Sequence, residues 1–517
     1  MEALNRFHTP KNDLAMNNRD VPTDPDKQAS GQMKAAFLGH QSWLLTTETT
    51  GILLDPILAD GFGSDDQIEI YPPRRIRVKD LPRIQAVILS HEHSDHFHLP
   101  SLNLLSRDIE VLVGVNMPRF VQQTIEFLGF KVRRICSGQK FQVGDLALTL
   151  FGVSPQTAFW ESRVNQLLIH SLKNSSESLF IAVDALISMD FVNGIRNGEI
   201  DPPSVVVLSN NAQITPPGVF GSLDNLTDPD GEKAKTGLHG LKILASLLNG
   251  YLQGIPAPRE VIICGGGFMK GYHELGPFPF SDQKELAAIA TGLAINFPVH
   301  GPYPGDAYEL APGSLVESRA HYVELDHDRF SQLSSQSASF VAARRTIPPR
   351  ACCAPSIDRD NSRQLIERLL EDMVLPMMLS PFGENMIDLR EYLTGALGPK
   401  RLVVLCLDEQ GQPCRQWALD VARAAFLQEE PLPTEELTIL YPYGMVLFES
   451  DLQALAEGQV QIWDLAGVSM RAWYVGQAET SPVAFLYTWL GEHASPRFYR
   501  DNYGHRVAQL GVSASGQ

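Results

Sequence analysis

The sequence predicts an α/β domain followed by a C-terminal α+β domain, on three observations. Apolar runs that stop abruptly at polar turns recur through the first half of the chain; residues 84–90, 164–169, 179–183 and 261–264 read as buried strands. A helix-like run at 241–252 lies between the last two of these, so strands and helices alternate there. From residue 361 the order changes to a long helix, then strands, then a further helix. Taken along the chain, residues 1–33 are rich in Asn, Asp, Pro and Gln and read as a mobile tail. The α/β domain is expected over 34–310 and a connecting segment over 311–360, which holds Pro348-Pro349, Cys352-Cys353 and Pro355. Residues 361–517 form the second domain. There Leu365, Ile366, Leu369, Leu370, Met373 and Val374 repeat at helical spacing until Pro376 ends or kinks the helix. Residues 402–407 and 437–441 read as strands, and 450–458 as a helix capped by Ser450 and closed by Gly458.

Composition narrows the function classes. At 517 residues the chain can build two or three cores, and 44% hydrophobic with 20% charged residues is a globular balance. A net charge of −18 argues against a nucleic-acid surface, which needs a basic patch. No apolar run is long enough to insert in a membrane, and the N-terminus lacks a secretory pattern. The six cysteines are scattered without a CxxC pair, which suits a reducing compartment, so a cytoplasmic protein is expected.

The chemistry is concentrated at His91-Glu92-His93-Ser94-Asp95-His96, directly after the apolar run 84–90. Three imidazoles and a carboxylate on the turn leaving a buried strand can hold two ions. His91 and His93, two apart on a turning backbone, can converge on one; Asp95 and His96 then face its neighbour. Imidazole and carboxylate donors suit zinc, iron or manganese.

The HxHxDH pattern resembles the signature of the metallo-β-lactamase fold superfamily. Its neighbours agree: GHQSWLL at 39–45 and GILLDP at 51–56 look like the opening hairpin, and SGQKFQVGD at 137–145 like the hairpin before the third ligand. The resemblance spans roughly residues 34–310. It implies an αββα sandwich with two metals at one sheet edge. A hydrolase of that superfamily would supply another histidine, a bridging aspartate and a final histidine.

Here the third position has no histidine. His170 ends the run 164–169 and should point into a hairpin, whereas Glu161 stands before that run. Asp184 closes the apolar run 179–183, and a buried strand end is a poor place for an unpaired carboxylate unless it bridges cations. The competing readings are a surface carboxylate beside Arg163 for Glu161 and a cap or turn residue for Asp184. His239 is the favoured last ligand, with His273 and His300 as alternatives; His40 is expected to hydrogen-bond around the ligands, and His98 either to do the same or to be solvated.

With Glu161 in the ligand set, two histidines and one carboxylate suit non-haem iron that activates O2. Within the superfamily this resembles the oxygenase branch of the chloramphenicol-pathway diiron β-hydroxylase type. The expected activity is an O2-dependent monooxygenase carrying two metal ions, iron by preference. Its substrate is a specialised metabolite or carrier-bound molecule, its electrons come from an external donor, and a homodimer is a candidate assembly. The alternative is a dizinc or dimanganese hydrolase of an ester, amide or phosphodiester. The C-terminal domain faintly resembles a sterol-carrier-like module and is expected to act as a cap, a dimer surface or a substrate-selecting wall.

Overall fold

The computed structural model describes residues 32–62, 68–155, 157, 161–174, 177–209, 260–265, 267–269, 283–292, 297–311, 314–337, 359–384, 386, 400–462, 464–465, 469–475 and 481–514. Two sheets stack face to face. The first has eight strands in the order Ser314–Arg319, Asp306–Ala311, Met33–Gly39, Ser42–Thr46, Gly51–Leu54, Ala86–Leu89, Glu110–Gly114, Lys131–Ile135. The second has seven, in the order Lys140–Val143, Leu146–Gly152, Asn165–Ser171, Ser178–Ile181, Val205–Ser209, Glu260–Cys264, Val299–His300.

Alternation of side chains along each strand sorts the apolar residues into three layers. Phe37, Trp43, Leu45, Leu54 and Ile88 from the first sheet meet Leu148, Leu167, Ile169, Ile181 and Val207 from the second. Their neighbours point outward: Leu44, Leu53, Val87 and Val111 take the helices Leu99–Asn103 and Arg119–Phe127. On the far side Phe180, Val206 and Ile263 take Met189–Arg196 and Gln283–Gly292. Both faces of both sheets are thus covered, which gives the expected αββα order and explains why strand Ala86–Leu89 is apolar at every position.

Three features depart from the expected organisation. Residues 314–325 are not a connecting segment: Ser314–Arg319 pairs antiparallel with Asp306–Ala311, and Val323–Leu325 pairs with Arg74–Ile76. The Pro312-Gly313 dipeptide between the two runs is a hairpin signal, and the exposed polar face of an edge strand hid the second run. Residues 437–441 are not a strand but the end of a helix, Thr434–Leu440; Pro433 before it and Glu435 and Glu436 in its first turn favour that start, and only Leu437 is buried. The 361–517 unit also does not stand apart. Its last segments, Phe498–Tyr503 and Gly504–Ala514, return to the first sheet, where Phe498, Tyr499, Tyr503 and Val507 join the core under Phe120 and Val121.

The rest of the C-terminal region is a five-stranded sheet in the order Ala425–Glu429, Pro413–Asp420, Lys400–Leu407, Tyr443–Phe448, Arg471–Trp473. One face packs on helices Arg359–Met378, Glu449–Ala456 and Pro482–Arg497. Ile366, Leu369, Leu370, Met373 and Val374 are the buried stripe, and the first helix runs two residues past Pro376. Ser450 lies inside its helix and Phe448 takes the N-cap position, while Gly458 ends the element at φ +70°. Among the described residues no helix is long and apolar enough to cross a membrane.

A polar stitch joins the two sheets. Asp145 accepts hydrogen bonds from Thr47 and Thr50 at 2.5 Å and from Thr49 at 3.0 Å, with Lys173 at 3.3 Å. Burial raises its pKa, but the threonine hydroxyls and Lys173 outweigh it and hold the carboxyl at about 2, against an ordinary 3.8. Because the folded value is depressed, this stabilisation is present above the ordinary value and is lost as pH falls through about 2. Asp145→Asn should lower stability at neutral pH by about 2 kcal/mol and flatten the acid limb of a denaturation–pH profile. An unchanged acid limb would contradict the assignment.

Candidate metal centre

The site forms where the C-terminal ends of parallel strands in the two sheets meet. Gly51–Leu54 and Ala86–Leu89 run parallel in the first sheet and deliver Asp55 and the histidine turn side by side. Ser178–Ile181 and Val205–Ser209 run parallel in the second and deliver Asp184 and Ser209. The turn itself is tight, with the N–H groups of His96 and Phe97 both donating to the His93 carbonyl at 2.9 and 2.7 Å.

His91, His93 and Glu161 form one group of converging donors, and His91, His96 and Asp184 a second. In the first, His91 Nε2 lies 3.0 Å from His93 Nδ1, and Glu161 Oε2 lies 3.5 and 3.6 Å from those two nitrogens. Bonds of about 2.0–2.2 Å to a shared ion place adjacent donors about 3.0–3.5 Å apart, so the triangle fits a cation. Glu161 Oε2 is buried and accepts no hydrogen bond among the described residues. A buried carboxylate oxygen without a donor is costly, and a metal ion removes the cost. In the second group His96 Nε2 is 2.9 Å from Asp184 Oδ2, while Ser209 donates to Asp184 Oδ1 at 2.7 Å and leaves Oδ2 facing the histidines. Asp95 Oδ2 lies 3.4 Å from His96 Nε2 and 2.9 Å from His40 Nε2. His40, Asp95 and His96 form a third group of converging donors, within which His40 Nε2 also hydrogen-bonds Asp95.

Asp55 sets the proton positions. Its Oδ1 accepts the Ser90 N–H at 2.7 Å; its Oδ2 accepts the Ser90 hydroxyl at 2.6 Å and His96 Nδ1–H at 2.8 Å. Having given its proton to Asp55, Ser90 Oγ accepts from His91 Nδ1–H at 2.9 Å. One buried carboxylate thus turns the Nε2 lone pairs of both His91 and His96 toward the site, the arrangement that ligating histidines require. Ser42, the serine of the GHQSWLL run, braces Asp55 by donating to its carbonyl at 2.5 Å and accepting the Ile57 N–H at 2.8 Å. Arg74, wholly buried, donates to the carbonyls of Leu38 at 2.8 Å and Ile57 at 2.7 Å, and to Ala59. Across the sandwich, Asn165 donates its N–H and its side-chain amide to the Ser90 carbonyl at 3.0 and 2.9 Å. Gln166 holds the Asp184 loop through the carbonyls of Ala182 and Leu186 and the N–H of Ser188.

Strain and charge mark the same place. His40 (φ +55°), Asp55 (φ +44°) and Val183 (φ +55°) all occupy the left-handed region, a costly conformation for a β-branched residue such as Val183. Burial, then the neighbouring charges of Asp184 and Asp95, pushes the Glu161 carboxyl well above the carboxylate range. Burial, then the charges of His96 and His93, holds His91 well below the usual histidine value, so its ring is neutral. Burial also lowers His96, but Asp95, Asp184 and Asp55 outweigh it and raise the ring well above its usual value. This imbalance of buried carboxylates is the complement of bound cations.

Of the other sequence candidates, His239 and His273 lie outside the described residues. His300 is away from this cluster, 2.8 Å from Glu260 and 3.3 Å from Glu317. His170 lies on Asn165–Ser171 opposite Ser178, in the hairpin, and His98 bonds the Ser101 hydroxyl at 2.6 Å. Asp55, Ser90, Asn165 and Gln166 were not singled out from the sequence; the aspartate closing GILLDP beside the histidine strand was the one available signal.

Residues 34–176 match the family described as a Beta-lactamase superfamily domain. The chain is 29% identical over 120 residues to a UPF0173 protein of Pyrococcus abyssi, covering 23% of this chain and 48% of that protein. It is 25% identical over 95 residues to an uncharacterized protein of Mycobacterium tuberculosis, covering 18% and 23% respectively. The chain thus spans less than half the length of these relatives. Among solved structures, isothiocyanate hydrolase from Delia radicum gut bacteria is similar at a TM-score of 0.37 and 16% identity, over 54% of this chain and all of that one. CmlA, a diiron β-hydroxylase from Streptomyces venezuelae, is similar at a TM-score of 0.35 and 15% identity, over 56% and 54%. The N-terminal part of this chain is a metallo-β-lactamase fold domain carrying a His/Asp/Glu cluster able to bind metal, followed by a further region of helices and sheet.

Proposed function

We propose that this protein is a dinuclear metalloenzyme that uses iron and O2 to hydroxylate a small-molecule or carrier-bound substrate. The observation that carries this reading is Glu161 Oε2, buried without a hydrogen-bond partner beside His91 Nε2 and His93 Nδ1. Two histidines and one carboxylate with open positions form the donor set of non-haem iron that activates O2; the same set serves catalytic zinc in hydrolases, so the bound metal decides between the two chemistries. His91, His93 and Glu161 would hold one ion. Asp95 and His96, with His239 as the proposed last ligand, would hold the other, and Asp184 would bridge.

When bound, a reduced iron pair supplies electrons for splitting O2; zinc or manganese instead acidifies a water for hydrolysis. The chain's own part is positional. Asp55 and Ser90 keep the two histidine lone pairs inward, and Ser209 turns Asp184 toward the histidines. Arg163 binds Glu92 at 2.6 Å and also reaches Glu492, tying the histidine turn to helix Pro482–Arg497. Inserting one oxygen atom of O2 into a C–H bond and releasing the other as water consumes two electrons and two protons besides the C–H pair; an external donor would supply those two electrons to the iron pair.

Protein produced with iron should carry about two irons per chain, as the proposed ligand set implies. After anaerobic reduction it should consume O2. Stoichiometric zinc with hydrolytic turnover and no oxygen-dependent reaction would replace this reading with the hydrolase.

A further inference from the structure

We propose that His40 is itself a metal ligand, the donor that the first hairpin turn contributes to the second ion. The turn joins strands Met33–Gly39 and Ser42–Thr46, well before the histidine turn in the chain. The proposal deepens the dinuclear reading above and rests on it for the presence of that ion.

The donor atoms converge. His40 Nε2 lies 2.9 Å from Asp95 Oδ2, and the same oxygen lies 3.4 Å from His96 Nε2. One donor atom from each of the three residues falls within 4.8 Å of the other two. Adjacent donors that share an ion at about 2.0–2.2 Å stand about 3.0–3.5 Å apart, so both contacts through Asp95 Oδ2 have ligand spacing. They match the contacts within the other two groups, His91 Nε2 to His93 Nδ1 at 3.0 Å and His96 Nε2 to Asp184 Oδ2 at 2.9 Å. A hydrogen bond to Asp95 accounts for one of these distances; a shared ion accounts for the convergence of all three residues. His40, His96 and Asp95 would then repeat on the second ion the two-histidine, one-carboxylate set that His91, His93 and Glu161 form on the first, with Asp184 between them.

The local backbone is shaped to aim this ring. The pairing of the two strands shifts register between Phe37 and Gly39, and His40 itself stands at φ +55°. Such a bulge redirects a side chain, and a left-handed residue other than glycine persists only where its surroundings hold it. Arg74 supplies that hold by donating to the Leu38 carbonyl at 2.8 Å. Gly39 lies at φ +111°, where an added Cβ would come within 2.8 Å of Ile70, so the residue before the histidine has to be small. The imidazole is fully buried, with the Phe62 ring 4.8 Å away and the His96 ring edge-on at 5.8 Å. Two residues further on, Ser42 braces Asp55, so one hairpin serves both a ligand and the carboxylate that sets the histidine tautomers.

The test is cobalt(II) titration of the full-length parent, His40→Phe and His40→Gln, read by visible absorption and metal analysis, with a crystal structure of the cobalt-loaded parent. Phenylalanine fills the ring's space without a nitrogen; glutamine keeps an N–H for Asp95 without an imidazole. The parent should bind two ions. Both variants should keep the first and hold the second at least about 100-fold more weakly, beyond the loss typical of residues that only orient ligands. In the parent crystal His40 Nε2 should lie about 2.0–2.2 Å from the second ion. Two ions with His40 Nε2 out of bonding range, or a His40→Gln protein that binds both like the parent, would overturn this ligand and spare the dinuclear reading. A single ion on His40, Asp95 and His96 would sustain the ligand and overturn the dinuclear reading. A single ion on His91, His93 and Glu161 would overturn both.

Discussion

Glu161→Ala should remove the first of the two proposed metal ions, because only His91 and His93, with Asp184 as the proposed bridge, would then remain to it. Its affinity should fall by at least about 100-fold, beyond the loss typical of residues that merely orient ligands. Glu161→His should behave differently. It restores three histidine-type donors around the site, so metal should be retained, zinc should compete better against iron, and O2 consumption by the reduced protein should collapse. Metal analysis and oxygen uptake on the parent and both variants read this out. Parent-like behaviour in both variants would return Glu161 to an ordinary carboxylate, since substitutions away from a functional contact usually stay within about half a kcal/mol.

Asp55→Ala carries the second large effect, through residues that touch no metal. It leaves the Ser90 N–H, the Ser90 hydroxyl and His96 Nδ1–H without their acceptor at positions that are fully buried. Three stranded donors should lower stability by about 3 kcal/mol or more. With the tautomers of His91 and His96 no longer set, metal affinity should drop about 10–100-fold in the protein that still folds. Asp55→Asn keeps one acceptor oxygen and should fall between parent and Ala. Chemical denaturation and metal titration measure the two effects separately. A folded, fully metallated Asp55→Ala protein would show that other contacts orient the rings.

The contrast between Glu161 and Asp55 explains what was legible in the sequence. His91, His93, Asp95 and His96 are contiguous, so local spacing alone announces them. Glu161 and Asp184 were reachable because each breaks a pattern, one standing where a histidine is due and the other ending an apolar run. Asp55, Asn165 and Gln166 break no pattern. Their roles arise from pairings across strands and between sheets, such as Asn165 to the Ser90 carbonyl, which no window along the chain contains. The αββα order was legible because buried strands such as Ala86–Leu89 are apolar throughout. Ser314–Arg319 was not, since an edge strand shows little apolar pattern. Ile439 and Leu440 misled in the opposite direction: they resemble a strand, yet they are exposed residues of a helix. One cavity is lined by both Glu92 and Gln461, a juxtaposition that no window along the chain contains.

The most direct test of the metal assignment is a crystal structure of the iron-loaded protein with diffraction recorded at the iron absorption edge. Two anomalous peaks about 3.5–4 Å apart should appear, the spacing usual for paired metal sites. Glu161 Oε2, His91 and His93 should ligate one, Asp95 and His96 the other, with Asp184 between them. A single peak, or two peaks with Glu161 turned away from both, would contradict the account.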